Sequence, residues 1–183
     1  MVAAKYARIL LLLFTAILLA AWLFKYYVLP PDLDELEVPD GLHPIVAEKR
    51  DELTGRAARA GIPILITAGF RSIDEQNQLY NQGRTTPGKV VTNAKGGESF
   101  HNFGLAIDFA LLDKNGEAIW DMEYDGNRNG RKDWDEVVEI AKEIGFESGA
   151  DWEGEFKDYP HLQMDFGLTL RELQRGKKPP GIE

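Results

Sequence analysis

Residues 99–111 read Ser99-Phe-His101-Asn-Phe-Gly104-Leu-Ala106-Ile-Asp108-Phe-Ala-Leu111, and their reading decides the fold. The run 105–111 is apolar except for Asp108 and is expected as a buried strand. Alternation along a strand puts Ala106 and Asp108 on one face and leaves His101 in the loop at its start. Ala106 is small enough to leave room beside Asp108, and Gly104 lets the backbone bend or be approached closely. A carboxylate set between Ile107 and Phe109 is buried and needs a cation or good donors. The plainer alternative is a strand-end aspartate bonded to a loop, with His101 at the surface.

Upstream, Ile62-Pro-Ile-Leu-Ile-Thr-Ala68 is a short β-branched run stopped by Gly69, expected as a second strand. Ser72 and Glu75 form a capping-box signature for a helix reaching Tyr80 or Asn81. Ile45, Val46, Leu53, Ala57 and Ala60 give residues 44–60 a loose helical pattern that Gly61 ends. Residues 83–98 have no useful period and form a loop leading into His101. Downstream, Asn115-Gly116 suggests a hairpin turn with a return strand over 117–122. A helix over 134–144 ends at Gly145, and short strands follow from Phe146 and over 161–164. Thr169 and Glu172 suggest a last helical turn. Strands and helices do not alternate regularly, so the expected class is α+β, a small, mostly antiparallel sheet with flanking helices.

At 183 residues the chain has room for one domain with a sizeable core. It has no cysteine, so any metal must be held by nitrogen and oxygen. Its 21 basic residues against 30 acidic give −9, and Lys5, Arg8 and Lys25 belong to the N-terminal segment, which leaves the remainder more acidic still. That sign argues against a nucleic-acid partner. Residues 9–24 are apolar apart from Thr15, with Lys5 and Arg8 before them and Lys25-Tyr26-Tyr27 after. Counted out to Leu29, the run is expected as one transmembrane helix with its basic end cytoplasmic. Leu18 and Leu19 occupy the −3 positions for cuts after Ala20 and Ala21, which favours an uncleaved signal-anchor over a cleaved signal. The expected organisation is an anchor over 1–29, an acidic proline-rich linker over 30–41, a domain over 42–176 and a tail over 177–183, with the domain exported.

The chain has three histidines. His101 stands seven residues before Asp108, and His161 closes Asp158-Tyr-Pro-His161. His43, before Pro44 at a helix start, has no such company and is expected at the surface. Pro160 biases Tyr159 toward an extended conformation, so a compact turn can put Asp158 and His161 on one side. His101, Asp108 and His161 then suit a tetrahedral Zn2+ site with a fourth place for water. Asp158 is placed to take that water's proton and pass it to a leaving amine. Arg71, between a strand and a helix, is the candidate donor for an oxyanion. Ser99 is expected to orient a ligand or substrate.

The pair Ser-x-His-x-x-Gly-x-Ala-x-Asp and Asp-x-x-His, behind Gly69-Phe-Arg71, resembles the LAS-type zinc peptidases of peptidoglycan. That group holds L-alanyl-D-glutamate endopeptidases and VanY-like D-alanyl-D-alanine carboxypeptidases. The likeness covers residues 42–166, and Gln78-Leu-Tyr80, Gly83-Arg-Thr and the stretch from Gly145-Phe to Asp151-Trp152 resemble the endopeptidase branch. It implies a DD-peptidase/hedgehog-like fold, zinc on His101, Asp108 and His161, Asp158 as base, Arg71 as transition-state support, and Gln78 near the substrate. The implied activity is a zinc endopeptidase acting on stem peptides; with the N-terminal run, the expectation is a membrane-anchored enzyme, taken as a monomer. A D-alanyl-D-alanine carboxypeptidase on the same site is the close rival, with Arg84, Lys89 or Lys95 as candidate receivers of a terminal carboxylate. A wall-binding module without turnover is the rival of another class.

Residues 125–136 match the EF-hand loop pattern at Asp125, Asn127, Asn129, Gly130 and Glu136, which makes Ca2+ a candidate. Arg128, Arg131 and Lys132 dilute the charge such a site wants. The plainer alternative is a polar loop capping the next helix.

Overall fold

The computed structural model describes residues 2–27, 36, 38–153 and 157–181. The chain divides into two units, Met1–Asp32 and Leu33–Glu183. In the first, α1 (Val2–Tyr27) is a single helix containing an 18-residue window, Leu10–Tyr27, long and apolar enough to cross a membrane. Most of the linker expected over 30–41, and the last two residues of the tail, lie outside the described residues.

The second unit is α+β. In order it holds α2 (Pro44–Arg59), β1 (Ile64–Ala68), α3 (Ile73–Asn81), a 3-10 turn (Phe100–Phe103), β2 (Ala106–Leu112), β3 (Ala118–Ile119), α4 (Asp133–Glu143), β4 (Glu147–Ser148), a second 3-10 turn (Gly149–Asp151), β5 (His161–Gln163) and α5 (Leu170–Leu173). The sheet runs β1-β2-β5-β4 with β3 also on β2, and every pairing is antiparallel. The return strand expected over 117–122 shortens to Ala118–Ile119.

β2 is central, and its Ile107, Phe109 and Leu111 are fully buried. Leu53 and Ala57 of α2 and Trp134, Val137 and Ala141 of α4 belong to the same core, with the Phe109 and Trp134 rings 4.9 Å apart. Truncating either aromatic to alanine would cost about 3–5 kcal/mol.

α2 starts where Pro44 presets the backbone and His43 Nδ1 accepts from the Ile45 N–H. His43 is not at the surface. Its ring is buried, packs on Phe166 and donates from Nε2 to the Pro180 carbonyl at 3.0 Å. The Nδ1 bond to α2 leaves the proton on Nε2, and the C-terminal residues supply its acceptor. α3 has the expected capping box between Ser72 and Glu75.

Candidate active site

The sheet register builds the site. Asp108 pairs with Ala68 of β1 on one side and with His161 of β5 on the other, so the Asp108 and His161 side chains emerge together on one face. A bulge in β1 between Ile66 and Ala68 ends regular pairing beside Asp108 and turns the following residues over the site. His101 arrives from the 3-10 turn, which Ser99 caps by accepting the His101 N–H. Gly104 ends that turn at φ +68, and a Cβ there would strike the Gly41 carbonyl.

Three ligand atoms meet. His101 Nε2 lies 3.2 Å from Asp108 Oδ1 and 3.3 Å from His161 Nδ1, and His161 Nδ1 lies 3.3 Å from the same carboxylate oxygen. The outer nitrogens face groups that only accept, Gly69 O at 2.6 Å from His101 Nδ1 and Gln163 Oε1 at 3.0 Å from His161 Nε2. In the neutral rings the inner nitrogens therefore carry lone pairs, aimed at each other and at a carboxylate. Such a donor set needs a cation at its centre, a proton or a metal ion, and its N2O chemistry suits zinc.

The charges follow from this crowding. Burial opposes ionisation of Asp108, but hydrogen bonds from His101 and then His161 outweigh it and hold the carboxyl well below the usual range. Burial likewise disfavours a charged His161, yet Asp108 and Gln163 raise it above the ordinary imidazole value. Asp158 opens to solvent at the rim, and its carboxyl is raised by local desolvation and by the charge of Asp108.

Arg71 stands behind the carboxylate. Its Nη2 is 3.6 Å from Asp108 Oδ2, its Nη1 donates to Gln76 Oε1 at 2.8 Å, and its backbone N–H donates to His101 O. Arg71, Ser99, His101, Asp108, Asp158 and His161 all line one cleft of about 750 Å³. Gln78 is the exception. It is exposed on α3 and outside the cleft lining, while fully buried Gln76, two residues away and on another side of the helix, holds Arg71 and the Ala94 carbonyl.

Several supporting groups escape a reading of the sequence. Asn102 donates to the Arg71 and Ser72 carbonyls and accepts from Gly97, tying three segments together. Gln163 sits two residues beyond His161 on the same strand face, the one cue that alternation supplies. Gly149 has no Cβ because one would strike the Asp158 carbonyl and crowd Asp158 and His161. Arg84 does not face the cleft, since it donates to Tyr80 O, Thr92 O and Asn93 Oδ1 and so pins its own loop.

Loop 125–136 is knotted by its own side chains. Asp125 accepts from the Asn129 and Gly130 N–H groups, and Asn127 and Asn129 donate to Glu136. Asp133 Oδ2 accepts from Gly126, whereas Asp133 Oδ1 is buried without a hydrogen-bond partner.

An antiparallel sheet that presents two imidazoles and a carboxylate to an open cleft, with a second carboxylate at the rim, is a metal-ligand set beside a positioned base, the arrangement that metallopeptidases use. Residues 92–164 match the profile of a peptidase M15 family described as D-alanyl-D-alanine carboxypeptidase. The chain is 62% identical over 132 residues to the peptidoglycan L-alanyl-D-glutamate endopeptidase CwlK of Bacillus subtilis (strain 168), covering 72% of this chain and 78% of that protein. It is 32% identical over 106 residues to the L-alanyl-D-glutamate peptidase of Listeria phage A118, covering 58% of this chain and 32% of the phage protein. Among solved structures, the LdcB LD-carboxypeptidase aligns with a TM-score of 0.51 at 24% identity, over 80% of this chain and 78% of that one. The vancomycin-resistance D,D-pentapeptidase VanY, solved with Zn(II), aligns with a TM-score of 0.51 at 16% identity, over 78% and 93%. These two share the fold. The protein belongs to the M15 peptidases.

Proposed function

We propose that the protein is a zinc endopeptidase that hydrolyses the L-alanyl–D-glutamyl bond of peptidoglycan stem peptides. The observation that carries this reading is the 62% identity to an enzyme of that specificity, extending over 78% of its length. His101, Asp108 and His161 would hold the zinc. Bound there, zinc supplies Lewis acidity, polarising the scissile carbonyl and lowering the pKa of the attacking water.

The chain's own residues do the rest. Asp158 accepts the proton of the attacking water and returns it to the departing amine, a role open to a carboxylate that lines the cleft beside the ligand set without belonging to it. Arg71 keeps a positive charge where the oxyanion develops, held rigid by Gln76 and Asp108. Ser99 holds the His101 turn in place. The apolar α1 is long enough to serve as a membrane anchor and export signal, with the catalytic unit on the outer side, where its substrate lies.

Digestion of purified muropeptides by the zinc-loaded protein tests the reading. New N-terminal D-glutamate is expected. Release of C-terminal D-alanine alone would mark a carboxypeptidase, and no cleavage would leave a binding module.

A second metal reading concerns calcium at residues 125–136. It is favoured by the unpartnered, buried Asp133 Oδ1 at the ninth loop position and by Gly130 turning sharply at φ +83 at the sixth. Arg131, 3.6 Å from Glu136, opposes it. Calorimetric titration of the full chain with calcium should give one site that Glu136→Gln removes, and absence of binding would refute it.

A further inference from the structure

We propose that Lys157 is the specificity residue that receives the free carboxylate of the glutamyl residue on the leaving side of the scissile bond. This rests on the endopeptidase reading above.

The cleft wall carries the carboxylates of Glu98, Asp108 and Asp158. Its cationic side chains besides the imidazoles are Arg71 and Lys157. Arg71 is committed to Gln76 and Asp108. Lys157 is exposed and, among the described residues, has no hydrogen-bond or ion-pair partner. Lys49, Lys132 and Lys142 are engaged with Glu52, Glu123 and Asp151, and Lys89 and Lys114, likewise unpaired among the described residues, lie outside the cleft. None of Arg84, Lys89 and Lys95 lines the cleft.

The chemistry of the leaving group says where a cation is needed. Cleavage frees the amine on the glutamyl Cα, and the proton it takes comes from Asp158. That nitrogen must therefore reach Asp158. A glutamyl residue has two carboxyl groups, and continuing the peptide uses one. When the chain runs on through the side chain, the spare α-carboxylate shares its carbon with the leaving nitrogen and is brought to within a few ångströms of Asp158. Two carboxylates so close repel each other unless a cation stands between or beside them. The Cα of Lys157 is about 3.8 Å from that of Asp158 across one peptide bond, and both residues line the cleft. A lysine there can reach the substrate carboxylate without displacing the base. Its flexible stem and three donors suit a ligand that arrives and departs with each turnover.

The test uses the zinc-loaded full chain and two tripeptides, L-alanyl-γ-D-glutamyl-L-lysine and its α-carboxamide. The wild type should prefer the free acid by roughly tenfold in kcat/KM, chiefly through KM, as expected for a hydrogen bond to a charged group. Lys157→Met should abolish the preference by weakening the acid substrate alone, Lys157→Glu should reverse it, and Lys157→Arg should keep most of it. The same split should appear without turnover, as binding of the two peptides to Asp158→Asn measured by calorimetry. Equal losses on both peptides in Lys157→Met, or no loss on either, would overturn the assignment. A wild type that cuts neither peptide at the alanyl–glutamyl bond would instead remove the endopeptidase reading itself, and this assignment with it.

Discussion

Asp108 of β2 is the antiparallel partner of His161 of β5, and that register brings Asp108 Oδ1 to 3.3 Å from His161 Nδ1. Residues far apart in the chain become a fixed ligand pair because two strands pair in register, and His101 completes the set from a loop. Slipping β5 by one residue would turn His161 to the opposite face. The ligand geometry is therefore a property of the sheet, and the groups behind it should matter nearly as much as the ligands.

Gln163→Ala tests that directly. Gln163 Oε1 holds His161 Nε2 and so leaves Nδ1 free to bind a metal. Removing the acceptor should lower zinc affinity by about 10–100-fold, in line with losses of such partners elsewhere, with the fold intact by circular dichroism. Competition with a chelator measures it, and an unchanged affinity would show that the tautomer is set by another group.

The metal-free protein should show a stability window in pH. Asp108 is lowered from 3.8, so its contribution is present above that value and is lost as pH falls through the depressed pKa. His161 is raised from 6.5, so its contribution is complete below 6.5 and is lost as pH rises through the elevated pKa. Both shifts describe one attraction and are counted once. The melting temperature in chelator should thus decline toward alkaline pH. Zinc should reverse that decline, because it binds the deprotonated imidazole.

How much of this was legible in the sequence depends on the range of each signal. β2, the α3 capping box and the His101–Asp108 and Asp158–His161 spacings are local patterns, and the structure brings these four residues to one cleft. The burial of His43 has no local signal, because it depends on Pro180 and Phe166, far down the chain. The resemblance points to Gln78, which lies outside the cleft lining, and no motif points to Gln76, because helix phase relative to the cleft is set by packing. The return strand stops at Ile119 where a hairpin rule alone would extend it.

Asp158→Asn should separate metal from catalysis. The carboxyl is no member of the clustered triad, so zinc content should stay near stoichiometric while kcat falls by about 10²–10⁴-fold, the usual worth of a positioned base. Desolvation and Asp108 raise the Asp158 carboxyl in the metal-free site, and a bound dication lowers it, so the acid limb of kcat/KM in the zinc enzyme should lie below the Asp158 titration of the metal-free protein and be absent from the residual activity of Asp158→Asn. Metal loss in the variant would make Asp158 a ligand instead.

Gly149→Ala probes how Asp158 is aimed. Gly149 O accepts from the Asp158 N–H at 3.0 Å, so the second 3-10 turn and the Asp158 turn are stitched back to back. The missing Cβ is what permits this: one placed on Gly149 would strike the Asp158 carbonyl and sit 3.1 Å from the Asp158 Cβ and 3.2 Å from the His161 Cβ. Both neighbours bear site side chains, and one contact is with backbone, so the strain cannot be relieved by rotating a flexible tip. Overpacking of this kind costs about 1–3 kcal/mol, and displacing a catalytic group by 1 Å can cost about 10²-fold in rate. The variant should therefore lose far more activity than stability, and it should keep its zinc if His161 stays fixed by β2. Thermal melts, metal analysis and turnover on one preparation read all three. Full activity in Gly149→Ala would show that the Asp158 turn moves freely, and that its position in the resting site is not what sets the rate.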